Sequence, residues 1–172
     1  KSNPTEYTAI ELFAGAGGMA LGFKNAGLQS VLLNEIDKYA CETLRKNHPD
    51  WNIIESSIED LDFQEYKGKV DVVSGGFPCQ SFSYAGHSRG FEDTRGTLFF
   101  EFARCVEQVK PRIALGENVR GLLHHDNGRT LATMIRVLED MGYRVQYHLL
   151  RAQFLDVPQK RERLVIIGVR DD

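Results

Sequence analysis

Residues 13–18, Phe-Ala-Gly-Ala-Gly-Gly, set the expected fold of this chain. They follow a β-rich run over Tyr7–Phe13 and precede a helical pattern over about Met19–Ala26. Glycines in a strand-to-helix turn let the backbone adopt positive φ angles and approach a ligand closely. The spacing is tighter than in the GxGxxG dinucleotide motif, so the turn predicts a nucleoside ligand without a pyrophosphate. A purely structural tight turn is the alternative interpretation.

Further β-rich runs alternate with helical patterns along the chain. The predicted strands after the first are Ser30–Asn34, Asn52–Glu55, Val70–Ser74, Arg112–Gly116, Tyr143–Leu150 and Arg163–Val169. The predicted helices after the first are Asp37–Asn47, Leu98–Val109 and Gly128–Asp140. This alternation predicts an α/β fold with a doubly wound, mostly parallel sheet. The last two runs have no helix between them, which predicts a late antiparallel hairpin at the edge of the sheet.

Composition places the chain among ordinary globular proteins. The 172 residues are 42% hydrophobic and 26% charged, enough for one domain over residues 1–172. No apolar run has the length of a membrane span, and the first residues lack a secretion signal pattern. The three cysteines, Cys41, Cys79 and Cys105, are widely spaced, which argues against a disulfide framework and against a zinc site. We therefore expect no metal and a reducing compartment, the cytoplasm or nucleoid.

The charge is distributed unevenly along the chain. The net charge is −3, which alone does not indicate a nucleic-acid-binding protein. Residues 1–80 carry seven Lys/Arg and twelve Asp/Glu, whereas residues 81–172 carry fourteen Lys/Arg and twelve Asp/Glu. The later part also holds every arginine except Arg45, and guanidinium groups suit phosphate and base recognition. On composition alone, ordinary surface charge is the simpler interpretation.

Glu35 ends the second predicted strand, in the sequence Asn34-Glu35. A carboxylate at that position can accept hydrogen bonds from both hydroxyls of a ribose. Together with the glycine-rich turn, Glu35 predicts a nucleoside site. A surface glutamate without a ligand is the alternative.

Cys79 lies just after the fourth predicted strand, in residues 74–80, Ser-Gly-Gly-Phe-Pro-Cys-Gln. Open α/β sheets bind ligands at the carboxyl ends of their strands. Pro78 stiffens the turn and fixes the direction of the cysteine. A thiolate is nucleophilic enough to add to a pyrimidine ring near neutral pH. Cys79 is therefore the candidate nucleophile, while Cys41 and Cys105, on predicted helices, are expected to be buried apolar residues.

Two further charged motifs follow neighbouring strands. Residues 116–119, Gly-Glu-Asn-Val, end the fifth predicted strand, so Glu117 is expected to face the same cleft as Cys79 and to protonate or hydrogen-bond a ring nitrogen. Residues 159–163, Gln-Lys-Arg-Glu-Arg, lead into the last strand. In an extended segment, Arg161 and Arg163 point the same way and can bind phosphates and a base carbonyl. A helix-capping acid and a solvated charge run are the respective alternatives.

These motifs, in this order, resemble those of the DNA cytosine-5 methyltransferases, most closely the bacterial restriction-modification enzymes. The motifs are Phe-Ala-Gly-Ala-Gly-Gly, Asn-Glu, Phe-Pro-Cys-Gln, Glu-Asn-Val and Gln-Lys-Arg-Glu-Arg, and residues 90–100 resemble the end of the family's catalytic loop and the helix after it. The resemblance implies methyl transfer from S-adenosylmethionine to C5 of a flipped-out cytosine in double-stranded DNA, with S-adenosylhomocysteine as the product.

The resemblance also implies a role for each matching residue. Cys79 would attack cytosine C6, Glu117 would engage N3, and Arg163 would assist them. The implied cofactor contacts are Phe13, Gly15, Ala16, Gly18, Glu35, Ile36, Ser57, Ile58, Pro78 and Leu98. The implied DNA contacts are Gln80, Ser83, Arg95, Arg161 and Arg163, with the loop over residues 80–96 closing on the extruded base.

Two departures from the family pattern stand out. Ser57 occupies the position of an aspartate that contacts the adenine amino group in the family, which puts cofactor affinity in question. The chain also stops after the arginine motif, so the target-recognition region and the last motifs are absent, including a C-terminal helix that completes the cofactor site. We therefore expect a complementing polypeptide as a partner, and apolar surface exposed near Tyr7–Phe13 and the first helix. A transfer-RNA cytosine-5 methyltransferase and a non-catalytic methyltransferase-like subunit are the alternative functions.

Overall fold

The computed structural model of the protein describes residues 7–78 and 98–171. Its strands are β1 (Tyr7–Leu12), β2 (Leu28–Glu35), β3 (Ile53–Glu55), β4 (Val72–Gly75), β5 (Ile113–Val119), β6 (Tyr143–Arg151) and β7 (Glu162–Arg170). Its helices are α1 (Gly18–Asn25), α2 (Lys38–Asn47), α3 (Leu98–Val109) and α4 (Arg129–Asp140). Each predicted element is present, and its ends lie within a few residues of the predicted ones.

The strands form one seven-stranded sheet in the order β3-β2-β1-β4-β5-β7-β6. Strands β1 to β5 pair in parallel, and β7 pairs antiparallel to both β5 and β6. The α/β doubly wound prediction is confirmed, and so is the late antiparallel hairpin. The order adds a detail, because β7 inserts between β5 and β6 and leaves β6 at the edge.

Strand β5 is longer than the sequence predicted. The expected strand ended at Gly116, with Glu117 beyond it, whereas the observed strand continues to Val119. The cause is β7, whose antiparallel ladder pairs Glu117 with Val165 and Val119 with Arg163. Glu117 therefore lies inside a hydrogen-bonded ladder, which fixes its backbone more firmly than a loop would.

The main hydrophobic core lies between the sheet and helices α3 and α4. Alternate strand residues such as Ile10 and Ile166 point into it, where they meet Phe99, Phe102 and Met134. Each of these five residues is at most 1% exposed, so this side of the sheet is sealed from water. A smaller cluster lies on the other side of the sheet, under α1 and α2, formed by Ala14, Ala20, Leu33 and Leu44.

That second side of the sheet is covered only in part. Helices α1 and α2 pack against β1, β2 and β3, whereas every residue that β5 and β7 present on this side keeps part of its surface exposed. We call the uncovered area the open sheet face, and it is formed by Ile113, Leu115, Val165, Ile167 and Val169. None of the helices in the described part of the chain is long and apolar enough to cross a bilayer.

Candidate active site

The glycine-rich turn adopts the backbone conformation that its composition predicts. Gly15 and Gly17 have φ angles of 55° and 87°, and Phe13 has a φ of 56°, which is uncommon for a residue with a side chain. A Cβ atom on Gly17 would lie 2.5 Å from Leu44 Cδ2 and 3.2 Å from the Trp51 ring. The turn is thus held against α2 and Trp51, in a conformation that few residues tolerate.

Glu35 is fixed beside this turn by three backbone donors. Its Oε2 accepts a hydrogen bond of 2.7 Å from the Gly15 amide, and its Oε1 accepts from the amides of Ile36 and Asp37 at 2.8 and 2.9 Å. A carboxylate has about four acceptor positions, so these three bonds leave capacity for one more donor. The structure therefore brings the predicted Glu35 and Gly15 into direct contact.

The other predicted cofactor residues differ in their exposure. Ile36 is 68% exposed, Ala16 and Gly18 are also exposed, and Ser57 is half-buried. Ile58 is only 3% exposed and belongs to the main core. A contact between the Ile58 side chain and a ligand thus stays a prediction, whereas Ile36 presents its side chain to solvent beside Glu35.

Glu117, Arg163 and Gly76 meet at the carboxyl end of the parallel strands. The Arg163 Nε lies 2.8 Å from Glu117 Oε1, with about a quarter of each side chain exposed. A Cβ atom on Gly76 would lie 3.2 Å from Glu117 Oε2. The segment that leaves β4 towards Cys79 therefore passes directly against the Glu117 carboxylate. A Cβ atom at position 76 would require that carboxylate to shift by a few tenths of an ångström.

Asn118 is a functional candidate that the sequence analysis did not single out. It is 4% exposed, and its side-chain amide donates a 2.9 Å hydrogen bond to the Phe77 carbonyl. Phe77 itself is buried and packs in the core against Phe99 and Phe102. Asn118 and Phe77 thus fix the chain immediately before the exposed Pro78. The available signal was a polar residue in an apolar strand, next to the predicted Glu117.

Arg104 was also missed, and it fixes the segment after β3. Its guanidinium donates hydrogen bonds of 2.8 Å to the carbonyls of Ile58 and Leu61 and pairs with Glu101. Those carbonyls belong to the 3-10 turn that follows Ser57. Leu98, a predicted cofactor contact, begins the helix that carries Arg104 and is half-buried.

Glu11 is a buried acid that sequence reasoning also overlooked. It is the last residue but one of β1, is 3% exposed, and accepts a hydrogen bond from the backbone of Ala20 in α1. Its second oxygen, Oε2, has no hydrogen-bond partner. Burial raises the pKa of Glu11 to about 8, and the Ala20 hydrogen bond offsets this only in part. The sequence signal was a carboxylate at an inward position of an apolar strand.

Several predicted residues lie outside the described part of the chain. They are the candidate nucleophile Cys79 and the predicted DNA contacts Gln80, Ser83 and Arg95. Arg161 is described and exposed, in the segment just before β7. Cys41 and Cys105 are buried, as predicted. Within residues 7–78 and 98–171, no group of His, Cys, Asp and Glu side chains could hold a metal ion.

Residues 7–172, nearly the whole chain, match the sequence model of the family "C-5 cytosine-specific DNA methylase". The chain belongs to this family. Its curated relatives include the Type II methyltransferase M.Eco47II of Escherichia coli, 61% identical over 167 residues, and M.PspPI of a Psychrobacter species, 60% identical over 167 residues. Each match covers 96% of this chain and 40% of the relative, so the chain spans well under half the length of these DNA methylases.

Solved structures show the same fold. A putative DNA modification methyltransferase from an Escherichia coli prophage superposes with a TM-score of 0.79 at 26% identity, covering 96% of this chain and 47% of that one. A mutant of DNMT2 from Spodoptera frugiperda gives a TM-score of 0.78 at 27% identity, covering 97% and 51%. The C-5 cytosine-specific DNA methylase chain thus has a Rossmann-like methyltransferase fold.

Proposed function

We propose that this chain is the catalytic and cofactor-binding part of an enzyme that methylates C5 of cytosine in double-stranded DNA. The observation that carries the proposal is the meeting of Gly76, Glu117 and Arg163 at the sheet edge where the Gly15–Glu35 contact also lies. A nucleoside site and a base-binding carboxylate at the same end of the sheet suit the transfer of a methyl group from a bound cofactor to a bound base.

The residues around the glycine-rich turn fit S-adenosylmethionine. A Cβ atom on Gly15 or Gly18 would meet nothing within 4 Å, so the turn presents open backbone to a ligand. The Glu35 carboxylate can accept a ribose hydroxyl, and the exposed Ile36 side chain can pack beside an adenine. Phe13, Ala16, Ser57, Ile58, Pro78 and Leu98 complete the proposed set. When bound, this cofactor supplies an electrophilic methyl group.

The chain's own residues would prepare the base. The Cys79 thiolate forms a bond to cytosine C6, while Glu117 holds N3, which places electron density on C5. Arg163 orients the Glu117 carboxylate through its 2.8 Å contact. After C5 is methylated, loss of the C5 proton and expulsion of the thiolate restore the ring and the free Cys79. Because C6 is inaccessible in a stacked duplex, the cytosine must be extruded first, with Gln80, Ser83, Arg95 and Arg161 as proposed DNA contacts.

The open sheet face supports a complementing polypeptide. Its five side chains are apolar, and at the lower end of the face a cavity of about 360 Å³ is bordered by Tyr7, Val72, Ile113 and Val169. Because the described helices cover only the other side of the sheet here, the apolar side chains of the open sheet face are in contact with water. This exposure costs about 25 cal/mol for each Å² of apolar surface. We propose that polypeptide of the kind that makes up the remaining length of the relatives covers this face. The exposed apolar surface therefore extends beyond the expected Tyr7–Phe13 region to β5 and β7.

The test of the activity is covalent trapping. A duplex containing 5-fluorocytosine, incubated with S-adenosylmethionine, the protein and the remaining region of a relative supplied in trans, is expected to give an adduct through Cys79, because fluorine cannot leave as the proton does. Cys79→Ser removes the thiolate and should abolish the adduct while cofactor binding survives. An adduct mapped to Cys41 or Cys105, or one formed only with transfer RNA, would refute the assignment.

The need for a complementing polypeptide is tested separately. Tritiated methyl transfer to random-sequence DNA is measured for the chain alone and with the remaining region of a relative supplied in trans. We expect activity only with that region, because sequence is read by elements that enter the grooves. Robust site-specific methylation by the chain alone would contradict this expectation. We place the active complex in the bacterial cytoplasm, at the DNA.

A further inference from the structure

Glu162, at the start of β7, holds two arginines at once. Its Oε2 lies 2.7 Å from Arg120 Nη1, and its Oε1 lies 3.0 Å from Arg151 Nε. More than half of each arginine side chain is exposed, against 28% of the Glu162 side chain. The hydrogen bonds from Arg120 and Arg151 lower the pKa of Glu162, so its carboxylate stays ionised at neutral pH and keeps both guanidiniums in place.

This group of three side chains differs from the ion pairs at the other end of the strands, where the parallel strands begin. There, Arg112 pairs with Asp71 and Arg144 pairs with Asp171, one cation for each anion. Around Glu162, two cations share one anion and leave a net positive charge. A guanidinium has five N–H donors, and Glu162 engages one from each arginine. The remaining donors suit a second oxyanion next to the first.

The position of the group relates it to the proposed base site. Arg151 and Glu162 are paired across β6 and β7, and Arg163, the next residue, contacts Glu117 on β5. Glu117 pairs with Val165, three residues along β7 from Glu162. With about 5 Å between strands and about 3.4 Å per residue, Glu162 lies roughly 11 Å from Glu117 at the same end of the strands, and its side chain lies on the other face of the sheet. Lys160 is exposed in the same segment and adds to the positive charge.

We propose that Arg120 and Arg151, held together by Glu162, bind one backbone phosphate of the DNA strand that carries the target cytosine. This inference rests on the proposed function, because it assumes that DNA approaches the edge that bears Glu117. The site contributes position and affinity and reads no sequence, since phosphates carry no sequence information. It assigns a DNA contact to Arg120 and Arg151, outside the Gln159–Arg163 motif.

The experiment is equilibrium binding of the full chain to a labelled duplex of about 30 base pairs over a series of salt concentrations. Each phosphate contact contributes a slope of roughly −0.9 to log K against log salt, which is about eightfold in affinity at 0.1 M relative to 1 M salt. In Arg120→Ala and in Arg151→Ala, we expect the slope of log K against log salt to become less negative by a large part of about 0.9. Because both bind one phosphate, the double variant should lose about 0.9 in total, and Arg151→Lys should retain most of the slope.

Arg144→Ala is the matched control, since Arg144 lies on the same strand β6 at its other end and its side chain is also exposed, at 76% against 51% for Arg151. It should bind DNA as the wild type does. Equal affinity and slope in the wild type and both alanine variants would overturn the phosphate site, and so would an equal loss in Arg144→Ala. Trapping with 5-fluorocytosine, in the presence of the complementing polypeptide, separates the two proposals. An adduct at Cys79 with no slope change rejects only the phosphate site, whereas a slope change without an adduct rejects only the methyl transfer.

Discussion

Glu11→Gln should remove most of the pH dependence of stability between pH 4.5 and 8. In the folded chain, burial raises the pKa of Glu11 from its ordinary value of 4.5 to about 8, a difference of about 3.5 units. Each unit corresponds to about 1.36 kcal/mol, so the linked free energy is about 5 kcal/mol. The residue is only 3% exposed and its Oε2 has no partner, so solvent screening reduces this figure little.

The direction follows from which state binds the proton more tightly. The folded chain does, so the stabilisation is fully present below pH 4.5 and is lost as the pH rises through about 8. The wild type is therefore expected to lose several kcal/mol of unfolding free energy between pH 4.5 and 8.5. Glu11→Gln keeps an oxygen that can accept from Ala20 and has no proton to lose, so its stability should stay nearly level over that range.

The assay is urea unfolding at a series of pH values, followed by the fluorescence of Trp51. Trp51 is the one tryptophan in the sequence and packs against the glycine-rich turn, so it reports on the region that Glu11 supports. Glu139→Gln, an exposed change on α4, is the control and should follow the wild type. Parallel pH profiles for the wild type and Glu11→Gln would refute the reasoning, since the dependence would then come from other groups.

Three further predictions concern the candidate site. Glu35→Ala should weaken S-adenosylmethionine binding by about 1–3 kcal/mol in titration calorimetry, through the loss of charge-assisted hydrogen bonds; unchanged affinity would place the ribose elsewhere. Gly17→Ala should lower the free energy of unfolding by at least about 1–2 kcal/mol, because its φ is 87°. Gly22→Ala, inside α1 with open space around it, should instead raise it by about 0.5–1 kcal/mol, and equal effects would contradict the conformational argument. Asn118→Ala should cost about 1–3 kcal/mol in chemical denaturation and reduce methyl transfer, and an unaltered transfer rate would separate the Phe77 turn from catalysis.

Local patterns in the sequence determined much of this protein. Apolar periodicity identified the strands and helices, since a side chain alternates across a strand and recurs about every 3.6 residues on a helix. Glycine placement identified the turn at residues 13–18, because positive φ values restrict the residue type there. Those signals, with the order of the motifs, were sufficient for the fold class and the family, and they named Gly15 and Glu35 as candidate residues of one site.

Only the tertiary structure decided which distant residues share an environment. Insertion of β7 between β5 and β6 lengthens β5, brings Arg163 to Glu117 and places Glu162 between Arg120 and Arg151. The raised pKa of Glu11 likewise depends on the helix packed over it. Strand pairing over long separations is set by the packing of the whole sheet, and the energy of a charge is set by the groups and the solvent around it. A short window of sequence encodes neither the strand pairing nor the energy of a charge. Residues that are neighbours in the site are therefore far apart along the chain.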